Sequence, residues 1–427
     1  MSLLYINENG AVIGIDGCRC TIKYADGMKR SLPIESLEAI TIMGKSQMTT
    51  QCTAECLKRG IPVSYFSKGG VYFGRLQSTG HINVARQRKQ CALYDTEFSI
   101  KLAKRIIDAK LRNQSVVLRR YEKSKGLQLD EIQKMLSVCR AKVFRYDSIP
   151  EIIGYEGQGA KYYFKGLAQC VDKPFQFKGR SRRPPLDEFN SMLSLGYSIL
   201  MNEVYCKIET KGLNPYFGFM HRDAEKHPTL ASDLMEEWRA IIVDSTVMSM
   251  INGHEIALDD FTTRLDEPGI YIQKNGLKKY LNKLEKKLQT SVKYLSYIDY
   301  AVSFRKAIQL QVNQLAKAIE MEEEYYFDTI EEFQSERYFV LVIYDIVDNK
   351  KRLKLSKYLL GYGIRVQKSA FEMMITKEKY NKLIKELPTY IEEGEDSIRL
   401  YKILGKGQMK AWGQENLEEE IEEVVII

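Results

Sequence analysis

The apolar pattern of this 427-residue chain changes period twice, and those changes set how many cores it must build. Up to about residue 83 the apolar runs are short. Leu3–Ile6, Ala11–Ile15, Cys18–Tyr24 and Ala39–Met43 are separated by Asn-Gly, Asp-Gly and similar turn signals, which predicts strands. One short helix fits residues 48–59, and further strands fit Val63–Phe66 and Val71–Phe73. Residues 84–319 turn helical, best seen over 187–209, where Phe189, Met192, Leu193, Gly196, Leu200 and Val204 form one stripe. Residues 320–336 hold eight acids and no Lys or Arg, and read as an acidic linker. Beyond it the order strand, helix, strand, strand, helix, strand over 337–405 predicts a ferredoxin-like α+β domain. The fold class is therefore multidomain α and β: a β-rich domain (1–83), an α-helical catalytic domain (84–319), and a ferredoxin-like domain. The last stretch, 406–427, is an acidic tail whose Val424–Ile427 is expected to add a strand to a sheet edge.

Charge points to a polyanion. The net charge of +8 understates the basic body, because 14 of the 56 acids lie in 320–336 and 414–427, leaving 42 acids against 64 bases. Nucleic acid is the first partner to expect, the β-rich domain serving dimerisation or DNA contact. Eight cysteines make no Cys-x-x-Cys pair, which speaks for reduced thiols rather than a zinc ribbon or disulfide framework. With no visible signal peptide and no apolar run long enough to span a membrane, a cytoplasmic protein is expected.

Four side chains carry the chemistry. Glu156 lies in a Gly-rich segment read as a turn, and His221 closes Gly212-Leu-Asn-Pro-Tyr216-Phe-Gly-Phe-Met-His221. Asp233 and Glu236 open Asp233-Leu-Met-Glu236-Glu-Trp-Arg239, where their spacing places both on one helix face. Carboxylates plus one imidazole suit a hard divalent ion, Mg²⁺ or Mn²⁺. Each residue also has a plainer reading. Glu156 fits a structural turn, His221 a loop cap, and the acid pair a solvated face or an ion pair with Arg239. Basic clusters stand at Lys178, Arg180, Arg182 and Arg183, at Arg75, Arg86 and Arg88, and on the helix with Lys350, Lys351, Arg352, Lys354 and Lys357. Such side chains suit phosphate contacts, which supply affinity with little sequence information.

Over residues 1–320 these motifs resemble the CRISPR spacer-acquisition integrase family. The resemblance is carried by Glu156-Gly-x-x-Ala160 with Tyr162-Tyr-Phe164, and by Arg180-x-Arg-Arg-Pro-Pro-x-Asp187-x-x-Asn190. Leu193-Ser-x-Gly-Tyr197, Gly212-Leu-Asn-Pro-Tyr216 with His221, Asp233-Leu-Met-Glu-x-x-Arg239, Asp260-Phe261, Arg305 and Gln311 extend it. Val340-Leu-Val-Ile-Tyr-Asp345, Gly361-Tyr-Gly-x-Arg-Val-Gln367-x-Ser369-x-Phe371-Glu372 and Asp396-Ser-Ile-Arg-Leu-Tyr401 resemble the small partner protein of the same pathway. The chain thus resembles a natural fusion of the two.

The resemblance implies that Glu156, His221 and Glu236 hold the metal, with Asp233 as an auxiliary ligand; some relatives have aspartate where Glu236 stands. It implies an enzyme that inserts short foreign DNA duplexes into a CRISPR repeat, the incoming 3′-hydroxyl acting as nucleophile. Arg239 then neutralises phosphate charge or orients Glu236. Two joining events imply a homodimer or higher symmetric assembly; an end-trimming helper nuclease is a possible further partner, and the sequence leaves open whether one is used. Asp345 is a possible metal residue of the second domain. Two other readings stand beside this one: a metal-dependent endonuclease on branched DNA, and a non-enzymatic DNA-binding scaffold.

Overall fold

Alternation of apolar and polar residues over the first eighty positions builds two small sheets, since successive side chains in a strand point to opposite faces. The computed structural model describes residues 2–403 other than 69, 183, 264–267, 293–299, 325–326, 328, 330–336 and 393–394. Its first strands are β1 (Ser2–Ile6), β2 (Val12–Asp16), β3 (Arg19–Lys23), β4 (Lys29–Pro33), β5 (Leu37–Met43), β6 (Gln47–Met48), β7 (Val63–Phe66) and β8 (Tyr72–Leu76). They pair in the orders β1-β5-β7-β8 and β4-β3-β2-β6. Strand β4, Lys-Arg-Ser-Leu-Pro, has no apolar alternation and is held as an edge by its register with β3, which sequence pattern does not reveal. Helix α1 (Thr50–Arg59) starts at Thr49, whose hydroxyl accepts from Cys52 N, and stops at left-handed Gly60. Ile6, Ile13, Ile40, Cys52 and Val63 form this part's own core.

The helical part comprises α2 (Val84–Ala92), α3 (Glu97–Lys125), α4 (Asp130–Val143), α5 (Ile149–Cys170), α6 (Glu188–Thr210), α7 (Thr229–Trp238), α8 (Ser245–Asn252), α9 (Lys274–Gln289) and α10 (Phe304–Met321). Short hairpins β9 (Phe261–Thr263) with β10 (Ile270–Ile272), and β11 (Ser291–Val292) with β12 (Val302–Ser303), interrupt it. Helix α3 is the central mast, with Leu102, Ile107, Leu111, Val117 and Leu118 fully buried. Met43 and Phe66 of the β-rich part belong to the helical core, so the two parts form one compact unit, Met1–Glu332. Arg75 helps to join them: its guanidinium pairs with Glu209 at 3.2 Å and lies 4.3 Å from the Tyr205 ring centroid.

Glu156 stands in α5, not in a turn as its glycines suggested. One of those glycines serves packing: a Cβ on Gly159 would overlap Leu111 Cδ2, so Gly159 lets α5 lie close against α3, whereas a Cβ on Gly154 or Gly157 would meet no neighbour. A six-residue π-helical stretch, Arg239–Asp244, lies between α7 and α8 and shifts the register of everything beyond it.

The second unit, Phe333–Ile427, runs β13 (Arg337–Asp345), α11 (Asn349–Leu359), β14 (Ile364–Gln367), β15 (Ala370–Thr376), α12 (Lys377–Glu386), β16 (Ser397–Ile403). The strands are antiparallel in the order β14-β15-β13-β16. Val340, Val342, Tyr344, Phe371 and Met373 bury one sheet face with Leu355, Leu359 and Leu383, while Ile343 and Tyr401 on the other are exposed. Among the described residues no helix is long and apolar enough to cross a membrane. The expected terminal strand Val424–Ile427 lies outside the described residues, as does Arg183.

Candidate active site

Three distant segments meet beside α3. Helix α5 supplies Glu156, the loop before α7 supplies His221, and α7 supplies Asp233 and Glu236. The loop lies flush on α7 because Gly218 has no side chain; a Cβ there would stand 2.8 Å from Asp233 Oδ2.

Asp233, fully buried, organises that loop. Its Oδ2 accepts from Phe219 N (2.7 Å) and Met220 N (3.0 Å), and its Oδ1 accepts from His221 N (3.0 Å) and meets His221 Nδ1 at 2.6 Å. These four contacts use the lone-pair directions of a carboxylate, so Asp233 orients His221. A carboxylate facing Nδ1 takes its N–H, which leaves the Nε2 lone pair pointing outward. Nε2 lies 3.7 Å from Glu236 Oε1. Burial by itself pulls the His221 pKa down, but the Asp233 hydrogen bond and the charges of Asp233 and Glu236 outweigh it and raise the pKa.

Glu236 is 3% exposed and ringed by cations. Arg239 Nη2 meets Oε1 at 3.0 Å and Lys110 Nζ meets Oε2 at 2.5 Å. Burial would raise its pKa, yet Arg239, Lys110 and His221 hold it down at about 2. Lys110 also pairs with Glu156 Oε1, so one ammonium bridges the two glutamates. Lys110 is the member of this cluster that sequence reasoning missed. The available signal was a lysine in the buried register of α3, beside Asn113 and Gln114, which are buried as well.

Behind this cluster lies a second acid, Asp244, at the end of the π-helical stretch. It accepts from Tyr197 OH at 2.6 Å and Tyr163 OH at 2.9 Å. Burial raises its pKa to about 6, the hydroxyl donors opposing only part of that rise. Arg180 and Arg239 stack over the Tyr197 ring at 5.4 and 5.1 Å.

A cleft of about 920 Å³ opens in front of the cluster, lined by Lys110, Glu156, Arg180, Arg182, Tyr197 and Arg239, among others. The predicted basic residues divide. Lys178, Arg182 and Arg88 are exposed. Arg180 turns inward to Asn190 Oδ1 (2.9 Å) and Ser194 Oγ (3.1 Å). Arg86 pairs with Glu320 and Lys211 O. Arg75, expected among DNA contacts, has a side chain only 5% exposed and braces β8 against α6, because Glu209 and Cys206 compensate its charge inside. Asp345 is exposed at the end of β13 in the other unit.

Carboxylates, an oriented imidazole and arginines around one cleft are the equipment of an enzyme that works on phosphodiesters. The comparisons with known proteins give the family. Residues 4–286 match the model of CRISPR associated protein Cas1 and residues 338–411 that of CRISPR associated protein Cas2. The chain belongs to the Cas1 family and carries a Cas2 domain in the same polypeptide. The CRISPR-associated endonuclease Cas1 of Mycobacterium tuberculosis (strain CDC 1551 / Oshkosh) is 34% identical over 321 residues, covering 75% of this chain and 94% of that protein. Among solved structures, a casposase bound to integration product matches 84% of this chain and 99% of its own with TM-score 0.70 at 23% identity, a likeness of fold. A chain of a Cas6-RT-Cas1–Cas2 complex matches with TM-score 0.68 at 25% identity, over 78% of this chain and 36% of that one.

Proposed function

We propose that this chain is a CRISPR adaptation integrase that joins the 3′-hydroxyl ends of short foreign DNA duplexes to a CRISPR repeat, with Mg²⁺ or Mn²⁺ held by Glu156, His221 and Glu236. The observation that carries this reading is the convergence of those three side chains, from separate segments, on one cluster around Lys110, beside a cleft that Lys110 and Glu156 line. The residues fit the ion. Two carboxylates are hard donors and the imidazole a borderline one, and Glu236 Oε2 is buried with a cation, the Lys110 ammonium, already 2.5 Å away. Once bound, the ion polarises the scissile phosphodiester and steadies the leaving 3′-oxygen.

The chain's own residues do the remaining work. Asp233 holds His221 in one tautomer and orientation. Arg239 fixes Glu236 and brings its guanidinium to the cleft wall, where it offsets phosphate charge. Arg182 and Lys178 give the DNA backbone exposed cations. No protein nucleophile is needed, since the incoming DNA carries its own hydroxyl.

The proposed organisation is a β-rich domain (1–83), a helical catalytic domain (84–319), an acidic linker (320–336), a partner domain (337–405) and an acidic tail (406–427). The strand order β14-β15-β13-β16, with helices on one face, supports a ferredoxin-like partner domain. Its open face, with Ile343 and Tyr401, suits pairing with a second copy in a homodimer or larger symmetric assembly. Two such copies would set two active sites at a fixed separation, with Asp345 a possible second-domain metal residue. A helper nuclease would trim the DNA ends, all in a prokaryotic cytoplasm. A second reading, cleavage of branched DNA by the same site, is favoured by the name endonuclease borne by the relatives.

The test is transfer of labelled duplexes to a repeat-bearing plasmid with Mg²⁺ or Mn²⁺. Transfer that requires both the 3′-hydroxyl and Glu156 is expected. Flap cleavage indifferent to the 3′-hydroxyl would favour the second reading, and DNA binding with no chemistry would leave only a scaffold.

A further inference from the structure

Lys110 is out of place for a lysine. It is 4% exposed in the middle of α3, and its ammonium bridges Glu156 and Glu236, the two carboxylates assigned to the metal. A buried ammonium is costly unless fully paired, and two carboxylates brought together in a protein interior repel unless a cation separates them. Each group therefore answers the other's problem, and the bridge holds both glutamates aimed at one point with no ion bound. Among the described residues, no three potential ligand side chains close a metal site in this arrangement.

We propose that Lys110 is an internal counter-ion occupying the metal seat, and that a divalent cation loads by displacing it into the cleft. This rests on the assignment of Glu156, His221 and Glu236 as the seat. The argument is one of charge and space. An ammonium between two carboxylates takes the electrostatic position that a divalent ion needs, and both cannot hold it together. Lys110 has somewhere to go, because it lines the cleft whose other walls carry Glu156, Arg180 and Arg239. The displaced ammonium then joins those arginines on the wall that faces a phosphate. Metal loading thus exchanges one cation for another, and the site stays charge-compensated in both states.

Competition of this kind weakens apparent affinity by the fraction of molecules whose seat is free. A seat free in about one molecule in ten shows a Kd about tenfold above its intrinsic value. The test is Mn²⁺ binding to the full-length protein, with free ion read by electron paramagnetic resonance. Lys110→Met keeps side-chain length and removes the charge; it is expected to bind Mn²⁺ about tenfold more tightly than wild type. Lys110→Arg keeps the charge and is expected to bind no more tightly than wild type. A second readout needs no variant: acylation of the wild-type Lys110 amine, followed by mass spectrometry, is expected to rise when Mn²⁺ is added. Equal or weaker Mn²⁺ binding by Lys110→Met, or Lys110 acylation unchanged by Mn²⁺, overturns the proposal and leaves the three-ligand seat standing. Absence of Mn²⁺ binding in wild type and both variants overturns the seat and the proposal together.

Discussion

Two buried acids on one continuous helical segment have opposite surroundings. Glu236 is compensated by cations, Lys110 and Arg239, and its pKa falls to about 2. Asp244, two turns further on, is hydrogen-bonded by the neutral hydroxyls of Tyr163 and Tyr197, with Arg180 and Arg239 acting on it through charge alone, and burial lifts its pKa to about 6. The π-helical stretch Arg239–Asp244 separates them. Burial alone therefore does not mark a working carboxylate. A ring of cations keeps an acid charged, as the metal seat proposed here requires, whereas hydroxyl partners make it a pillar that tolerates protonation.

The largest difference between the two should appear in chemistry. Glu236→Ala, like Glu156→Ala and His221→Ala, is expected to reduce DNA joining to background while duplex binding stays near wild type, as read by a transfer assay and by fluorescence anisotropy. Asp244→Asn is expected to keep most joining. If it abolishes joining at unchanged stability, the contrast between seat and pillar is broken.

Asp233 comes next. Asp233→Asn loses the charge that fixes the His221 tautomer, and is expected to lower Mn²⁺ affinity or joining rate about 10- to 100-fold.

The two acids should also tilt stability in opposite directions with pH. The Asp244 pKa is raised in the folded state, so its contribution is complete below the ordinary aspartate range near 3.8 and is lost as pH rises through about 6. A shift of this size corresponds to about 3 kcal/mol, and Asp244→Asn should flatten that loss in urea unfolding between pH 4 and 7. The Glu236 pKa is lowered, so its contribution is present above the ordinary glutamate range near 4.5 and is lost as pH falls toward 2. Wild-type stability that instead rises from pH 4 to 7, by an amount Asp244→Asn removes, would reverse the assignment.

The smallest effect concerns the cleft rim. Arg182→Ala is expected to weaken duplex binding and reduce the slope of log affinity against log salt by about one. Arg180→Ala, which unties Asn190 and Ser194, should instead lower thermal stability.

How much of this could be read from sequence follows the same physics. Glu156, His221 and Glu236, proposed here as the metal seat, could be singled out in sequence because an acid or imidazole amid glycines and aromatics stands out and the family motifs order them; the fold brings the three together. The periodic stripe gave helix 187–209 to within one residue of α6 at each end. Lys110 was not legible, since a lysine in a helix looks solvated until the fold buries it against two carboxylates. Arg75 looked like a surface cation for the same reason: its compensating Glu209 lies 134 residues away. The glycines around Glu156 suggested a turn, yet they stand in a helix, where Gly159 marks close packing on Leu111, a neighbour that sequence does not name.

The most direct test of the central claim is the position of Mn²⁺ in crystals of the full chain, located by its anomalous scattering. The account predicts one peak bounded by Glu156, His221 and Glu236, with the Lys110 ammonium turned away into the cleft. A peak elsewhere in the catalytic unit, or Lys110 still bridging the two glutamates in the presence of bound metal, would contradict it.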